Sequence, residues 1–544
     1  MAADLVRSAI GAEQQGSELV DRMERVGARV HGEWGLAVRS QRAAARRSAR
    51  LQGDRIVLVA HAVVTVAVAA IWPVSRILDL PAAAMVRPLA LTLLLLTAWV
   101  VRSWRLVGRT LFDPYGMFML AAVLFNGGQA FLEVFGLNEN GILDGHFAPD
   151  TIARALAIVI SALAALHLGA LLAVLSVPPE ARSLRVSATT DDRVRSCRIV
   201  GLGLLLISVL PAAMVAKERL TVVYQSGYFA LYQGEHATGM GGANEILASF
   251  LGPGVLFLLA GSGTRWAPRV LSLGIVALYI LSNLFAGFRG FAAMLGAAYA
   301  WVWHRRVRRL SSPKLLVAGA LTLFVVFPVV GAIRNIEGID RTSLPFLRRA
   351  FLSIDNPMVA SVSEMGGSLA PLAYTLELVP ATRSFEYGAG YLSALSTAVP
   401  NLFWDLHPAV ARGTPSDWLI WTVDPITAKR GGGLGFSFIA EAYLNFGSAG
   451  VPFVTLVVGF LWCRFVLWAD DGGTPARIAA IASFTAFTLA YARGEASFIV
   501  RPLLWFVLGP YVAVGLIERI RAARWHVHGR RGSSPAAAGT PHSM

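Results

Sequence analysis

Ser437, Glu441 and Asn445 stand four residues apart in the segment GGGLGFSFIAEAYLNFGSAG, residues 431–450. On a helix that spacing places a hydroxyl, a carboxylate and an amide on one face. The rest of the segment is membrane-compatible. A charged group near a bilayer centre costs on the order of 3 kcal/mol, so such groups face a wet cavity or a partner. A carboxylate in a partly desolvated site can take the proton of a hydroxyl nucleophile. The flanking glycines let the backbone bend or approach closely, and Tyr443 lies two residues beyond Glu441.

A second set of residues suits anions. Arg289 sits in the turn GFRG, Arg334 in GAIRN, and Arg493 and Arg501 flank ARGEASFIVRP. A guanidinium is always charged and grips phosphate through paired hydrogen bonds, so several converging at a membrane lip suit a diphosphate. Snorkelling, or pairing with Glu364, Glu377 and Glu495, is the other reading. His407 in DLHPAV, two residues after Asp405, is either a base or a structural histidine beside proline. Asp417, Asp424, Lys429 and Arg430 lie in DWLIWTVDPITAKRGGG and either bind sugar or are simply solvated. Trp404, Trp418 and Trp421 either stack on sugar faces or belong to an interfacial belt. HExxH, paired CxxC, Walker and supported GxSxG patterns are missing from the sequence. Metalloprotease and nucleotide-driven chemistry lose support, and neither metal nor cofactor is expected.

The elements that must position these residues are membrane helices. Of 544 residues, 55% are hydrophobic and 15% charged, and the mean hydropathy is +0.58. These values place the chain among polytopic membrane proteins. The net charge of +15 does not point to nucleic acid, because the arginines cluster in short connections between apolar runs. About twelve spans are predicted, near 55–77, 85–101, 114–136, 152–176, 198–216, 246–262, 268–287, 290–303, 315–333, 449–468, 477–492 and 500–517. With both termini cytoplasmic, the Arg-dense stretches 42–55, 102–109, 182–198, 305–314 and 519–531 all fall on one side, as the positive-inside rule requires.

Five regions follow: a basic cytoplasmic arm (1–54), nine helices (55–333), an outward cap (334–432), a re-entrant segment with three helices (433–517), and a cytoplasmic, partly disordered tail (518–544). The arm lacks an apolar core before about Ile56, which argues against a cleavable signal peptide, and its charges suit anionic lipid. Within the cap, 344–361 and 369–378 read as helical. A connection of that length is usually functional, and a lid can exclude water and position an acceptor. Cys197 and Cys463 are both expected on the inner side, without a disulfide or a metal-ligand companion. No internal repeat is visible.

From about Gly287 to Pro502 the chain resembles the oligosaccharide repeat-unit polymerases, the O-antigen polymerase (Wzy-like) family. The resemblance rests on GFRG, the arginine opening a long loop, YGAGYLSALSTAVPN, GFSFIAEAYLNFGSAG and the arginine-bearing turn before the last span. FSFIAEAYLNFG is its most specific part. It implies an all-α, GT-C-like polytopic enzyme of the bacterial cytoplasmic (inner) membrane that polymerises undecaprenyl-diphosphate-linked oligosaccharide. Arg289, Arg334, Arg493 and Arg501 would then stabilise the leaving diphosphate, and Glu441 would serve as base or acceptor-positioning group. Lipid-linked substrate and membrane lipid are the implied partners, with flippase and chain-length regulator proteins beside them. Two alternatives stay open: an O-antigen-ligase-like transfer of glycan to a different acceptor, and a lipid-linked oligosaccharide transporter. Transporters usually carry inverted repeats and broken midplane helices, whereas the polar features here gather at the outer lip.

Overall fold

The computed structural model describes residues 51–177, 191–233, 240–334, 343–399, 408–470 and 473–531, without side chains at 240–242, 334, 344, 409–410 and 524–531. Two compact units divide the chain, 1–59 and 60–544. Of the first, only the opening residues of a helix are described. All other statements concern the second.

The described residues form helices and connections, with no strand among them. In chain order the first nine helices are α1 (Leu51–Ile77), α2 (Ala82–Leu106), α3 (Pro114–Val134), α4 (Pro149–Leu175), α5 (Asp191–Ser226), α6 (Ala243–Ala260), α7 (Trp266–Phe285), α8 (Arg289–Arg306) and α9 (Ser312–Ile333). Seven short helices follow: α10 (Leu344–Leu352), α11 (Pro357–Gly366), α12 (Leu369–Leu378), α13 (Ala389–Ser396), α14 (Pro408–Arg412), α15 (Pro415–Val423) and α16 (Pro425–Lys429). The chain then runs through α17 (Phe438–Asp470), α18 (Pro475–Tyr491) and α19 (Ser497–Ala523).

Ten of these helices are long and apolar enough to cross a membrane. The two further spans expected from sequence are helical as α8 and α18. α8 carries three arginines, and α18 has 17 residues, fewer than the ~20 that usually cross.

α4 is the hub: 83% of its apolar window is buried. Its closest partner is α17. A Cβ on Gly169 would strike the Leu456 carbonyl, and one on Gly459 the Leu166 carbonyl. Glycine at both positions lets the two backbones touch, the device that brings membrane helices together without a hydrophobic driving force.

Contacts define two ends of the bundle. At one, Asp470 receives Arg109 at 3.0 Å and Arg305 at 2.8 Å, joining the ends of α2, α8 and α17. At the other, Arg76 pairs with Asp150 at 3.2 Å and the short helices gather. We call the latter the capped end.

The cap is a stack of helices instead of an open loop. The expected helix at 369–378 forms with those limits. The one expected over 344–361 is broken in two, because Pro357 cannot continue a helix and Asn356 caps a new one by accepting from the Met358 and Val359 amides. α12 is core and not lid: Leu369, Leu372 and Ala373 are fully buried, against α4 and α17. Cys197 and Cys463 are buried free thiols.

Candidate active site

The polar stripe forms as the spacing predicts, and its three residues are all buried. Each has separate work. Ser437 starts α17: its hydroxyl accepts the Ile439 amide at 3.1 Å and donates to Asn126 Oδ1 of α3 at 2.8 Å. Asn126 in turn donates to the Ala492 carbonyl at 3.0 Å. Asn445 donates to the Glu441 carbonyl at 2.9 Å and accepts the Gly388 amide at 3.1 Å. Glu441 Oε2 accepts the Ala496 amide at 2.9 Å, from the turn between α18 and α19.

What lifts this stripe out of the long helix is a kink. Gly447 has φ 67 and ψ −172, a conformation open essentially to glycine. The kink divides α17 into a short amphipathic piece and a long apolar one. Carbonyls before the break lose their helical partners, and the cap supplies new ones. Glu386 N donates to Leu444 O at 3.1 Å and Tyr387 N to Asn445 O at 2.9 Å. Cap and stripe are therefore hydrogen-bonded to each other. In YGAGY the second glycine matters, because a Cβ on Gly390 would meet Glu386 Oε2 and the Asn445 amide.

Three carboxylates converge here. Glu386 and Glu495 are the acidic side chains whose fields reach Glu441. Glu386 is ion-paired twice, with Arg383 and with Arg412, the latter at 2.9 Å, and Arg383 also lies over the Trp418 ring. Glu495 is held without a cation: it accepts the Ser416 amide at 3.1 Å and the Ser497 hydroxyl at 3.2 Å. Burial pushes its carboxyl up to about 7. Among the described residues neither Glu441 nor Glu495 is in an ion pair. The Tyr391 hydroxyl is buried with no hydrogen-bond partner among the described residues. Burial, and then the neighbouring Tyr491 and Glu441, hold that phenol protonated well above its ordinary range.

The arginines singled out from sequence occupy several neighbourhoods. Arg493 stands closest in sequence to the turn that contacts Glu441, over the Phe125 ring and beside Gly435. Arg501 donates to the Thr397 carbonyl at 2.9 Å, tying α19 to the end of α13. Arg289 pairs with Glu364 of α11 and donates to the Phe327 carbonyl at 2.7 Å. Arg334 directly follows Ile333 of α9, and its side chain lies outside the described residues, as do Asp405 and His407. Tyr443 points away from the stripe: it donates to the Val379 carbonyl at 3.1 Å and accepts from Arg154 at 3.0 Å. Lys429 and Arg430 are exposed at the end of α16. Asp417 and Asp424 are helix caps, for α15 and α16.

Arg154, Glu386, Arg383, Arg412 and Tyr391 are additions that sequence reasoning missed. Arg154 carried a signal, being an ionisable residue inside an apolar span. Glu386 directly precedes YGAGY, three residues after Arg383.

Fold and site together define a polytopic helical membrane protein with a buried acidic cluster beneath a helical cap at one end. A profile of the family described as "O-antigen polysaccharide polymerase Wzy" matches residues 64–523, and the chain belongs to that family. It is also similar to "Protein CapE" of Staphylococcus aureus, at 27% identity over 148 residues, covering 26% of this chain and 28% of that protein. The chain thus matches less than a third of that relative's length. No solved structure matches.

Proposed function

We propose that this protein polymerises lipid-diphosphate-linked oligosaccharide units on the outer face of the cytoplasmic membrane, with a GT-C-like arrangement of twelve crossings and the capped end outward. The observation that carries the reading is Glu441: a buried carboxylate, held by one backbone amide and roofed by the cap, inside a chain of the polymerase family.

The chemistry is a displacement at an anomeric carbon. An acceptor sugar hydroxyl attacks, its oxygen bonds to that carbon, and the carbon's bond to the diphosphate oxygen breaks. The hydroxyl proton passes to Glu441, which can receive it because no guanidinium among the described residues pairs with it. The Tyr391 O–H, without a hydrogen-bond partner among the described residues, can orient the acceptor. Negative charge accumulates on the departing diphosphate, and Arg289, Arg493 and Arg501 supply planar donors to it. Arg289 would exchange Glu364 for phosphate. Arg334 and His407 belong to the same proposal.

The decisive assay incubates the purified protein with one lipid-linked repeat unit and resolves the products by size. A ladder is expected. Turnover only when a chemically different acceptor is added would replace polymerase by ligase. Orientation has its own check: a cysteine probe at Ser416 should label from outside, and those at Ser312 and Gly473 from inside, whereas Gly366 packs against the Gln129 backbone and cannot carry one. Labelling of Ser312 and Ser416 from the same side would remove this topology.

A further inference from the structure

The kink at Gly447 leaves residues 438–446 as a short piece whose rotation the long part of α17 does not set. Its polar stripe is gripped on one face by Asn126, the Ala496 amide and the cap. On a helical wheel Tyr443 stands about 200° from Glu441, so it lies on the opposite face. There the Tyr443 side chain is buried, with both uses of its hydroxyl taken. It accepts from Arg154 of α4 at 3.0 Å and donates to the Val379 carbonyl, just past α12, at 3.1 Å. The ring is held as well: the Arg154 guanidinium lies 5.5 Å from its centroid, and the Phe385 ring meets it edge-on at 5.8 Å.

Arg154 is costly to keep at this place. It belongs to the apolar hub helix α4, where an ionisable group usually serves a function. Among the described residues it is in no ion pair with a carboxylate. Its guanidinium goes instead to a phenol two residues from Glu441. The leverage of that contact is large. A carboxylate standing roughly 6 Å from a helix axis swings by about 2 Å when the helix turns by about 20°. Such a swing breaks the 2.9 Å contact between Glu441 and the Ala496 amide, and a misplacement of about 1 Å can cost about 10²-fold in rate.

We propose that Arg154 and Tyr443 are a positioning pair for Glu441: they fix the rotation of residues 438–446 from the back, and with it the direction in which the carboxylate faces the acceptor. Neither touches a reacting atom, and both act through Glu441. The stripe contacts alone leave this rotation to one side of the helix, whereas the pair ties the other side to α4 and to the end of α12. The proposal rests on the polymerase reading only for the reaction that Glu441 serves.

The test is a double-mutant cycle in the full-length protein, read as kcat and KM for the lipid-linked unit. Tyr443→Phe removes one hydroxyl and should lower kcat by about 10- to 100-fold, with KM within about twofold of wild type. Arg154→Gln should match it, and Arg154→Lys, which can still donate to the phenol, should recover most of the loss. In a Glu441→Gln background Tyr443→Phe should cost less than about twofold more, because no base is left to aim. An equal loss in both backgrounds overturns the proposal, since the pair would then only hold the fold. So does wild-type kcat in Tyr443→Phe, or a raised KM at unchanged kcat. Should Arg154→Gln misfold, Tyr443→Phe and Arg154→Lys decide. A second measurement needs no turnover: the rate at which dicyclohexylcarbodiimide modifies Glu441, followed by peptide mass spectrometry. Tyr443→Phe should raise it at least about threefold, because a carboxyl turned off the Ala496 amide is open to the reagent, while the rate at Asp470 should stay unchanged. If the wild type forms no ladder, or Glu441→Gln keeps full turnover, the polymerase reading or its base fails. The carbodiimide rates then decide the positioning pair alone, and equal rates in wild type and Tyr443→Phe overturn it.

Discussion

The two ends of the bundle both bury charge, but they treat it differently. Away from the cap, Asp470 is matched by two guanidiniums, Arg109 and Arg305, and Arg109 also faces Asp113 at 3.7 Å. Nearby, a closed network joins α1, α2, α3 and α4. Trp99 donates to His61 Nδ1 at 3.0 Å, and the other His61 nitrogen donates to the Ala164 carbonyl at 2.9 Å. His167 lies between Ser103 at 2.8 Å and Tyr115 at 3.0 Å. There every invoked group already has a partner of the opposite kind. Under the cap, the guanidiniums go to Glu386 and Glu364, while Glu441 and Glu495 are held by amides and hydroxyls. A matched buried charge holds helices together, whereas a buried carboxylate without a cation can accept a proton during a reaction.

The comparison breaks most sharply at Glu441. Glu441→Gln keeps the shape and can still accept the Ala496 amide, but it loses basicity. We expect normal insertion, retained donor binding, and turnover reduced by roughly 10²–10⁴-fold in the ladder assay. Wild-type turnover by a well-folded variant would end its role as base, and His407 would take its place as first candidate. A joint fall in folded protein and donor binding would make Glu441 a structural residue like Asp470.

Next in size is Arg289. Its pairing with Glu364 makes it the arginine whose exchange from carboxylate to phosphate is easiest to test. Arg289→Ala should lower turnover about 10²-fold, the cost typical of losing one transition-state donor. Arg289→Lys should do nearly as much harm, because an ammonium cannot copy the planar fork. If arginines rather than a divalent ion neutralise the diphosphate, a chelator should leave activity intact. Full activity in the Lys variant, or chelator loss rescued by a divalent ion, would count against this role.

Asp470→Asn probes the other end. It leaves Arg109 and Arg305 without their shared anion and should cost about 1–3 kcal/mol of stability, read as a lower unfolding temperature in detergent. Turnover per folded molecule should stay within about twofold of wild type, since the site chemistry of the capped end is untouched. Normal stability with lost turnover would show that the matched end is more than scaffold.

The stripe was legible because a four-residue spacing of polar groups in an apolar segment has a local physical meaning, and the family-like motifs lie around it. Ten of the spans were legible for the same reason, and α8 and α18 are helices where two further apolar runs were read. Glu386 and Tyr391 were not legible. Their positions depend on carbonyls freed by the Gly447 kink, which the cap amides reach from some sixty residues away in the chain. The role of Glu495 was hidden likewise, because its partner Ser416 lies in another cap helix. Arg154 escaped notice inside a run of alanine and leucine, although its charge was itself the clue. Asp417 and Asp424 drew attention as ligand candidates, yet each precedes or opens a short helix and serves it as a cap.

The smallest effect, and the finest test of the comparison, concerns Glu495. Its carboxyl rises from 4.5 to about 7, chiefly through burial. An acid whose pKa is higher folded than unfolded keeps a proton that the unfolded chain has released. Its contribution to stability is therefore fully present below about 4.5, falls as pH rises through the window to about 7, and is constant above it. At about 1.4 kcal/mol per pKa unit the loss is at most roughly 3 kcal/mol. Glu495→Gln has no proton to lose and can still accept the Ser416 amide, so its unfolding temperature should change less with pH across that window than wild type. At pH 8 the variant should be slightly the more stable, and its turnover should lie within about threefold of wild type. Parallel pH profiles for the two proteins would show that Glu495 is ionised throughout, as a matched carboxylate would be. The capped end would then hold one uncompensated acid, Glu441, instead of two.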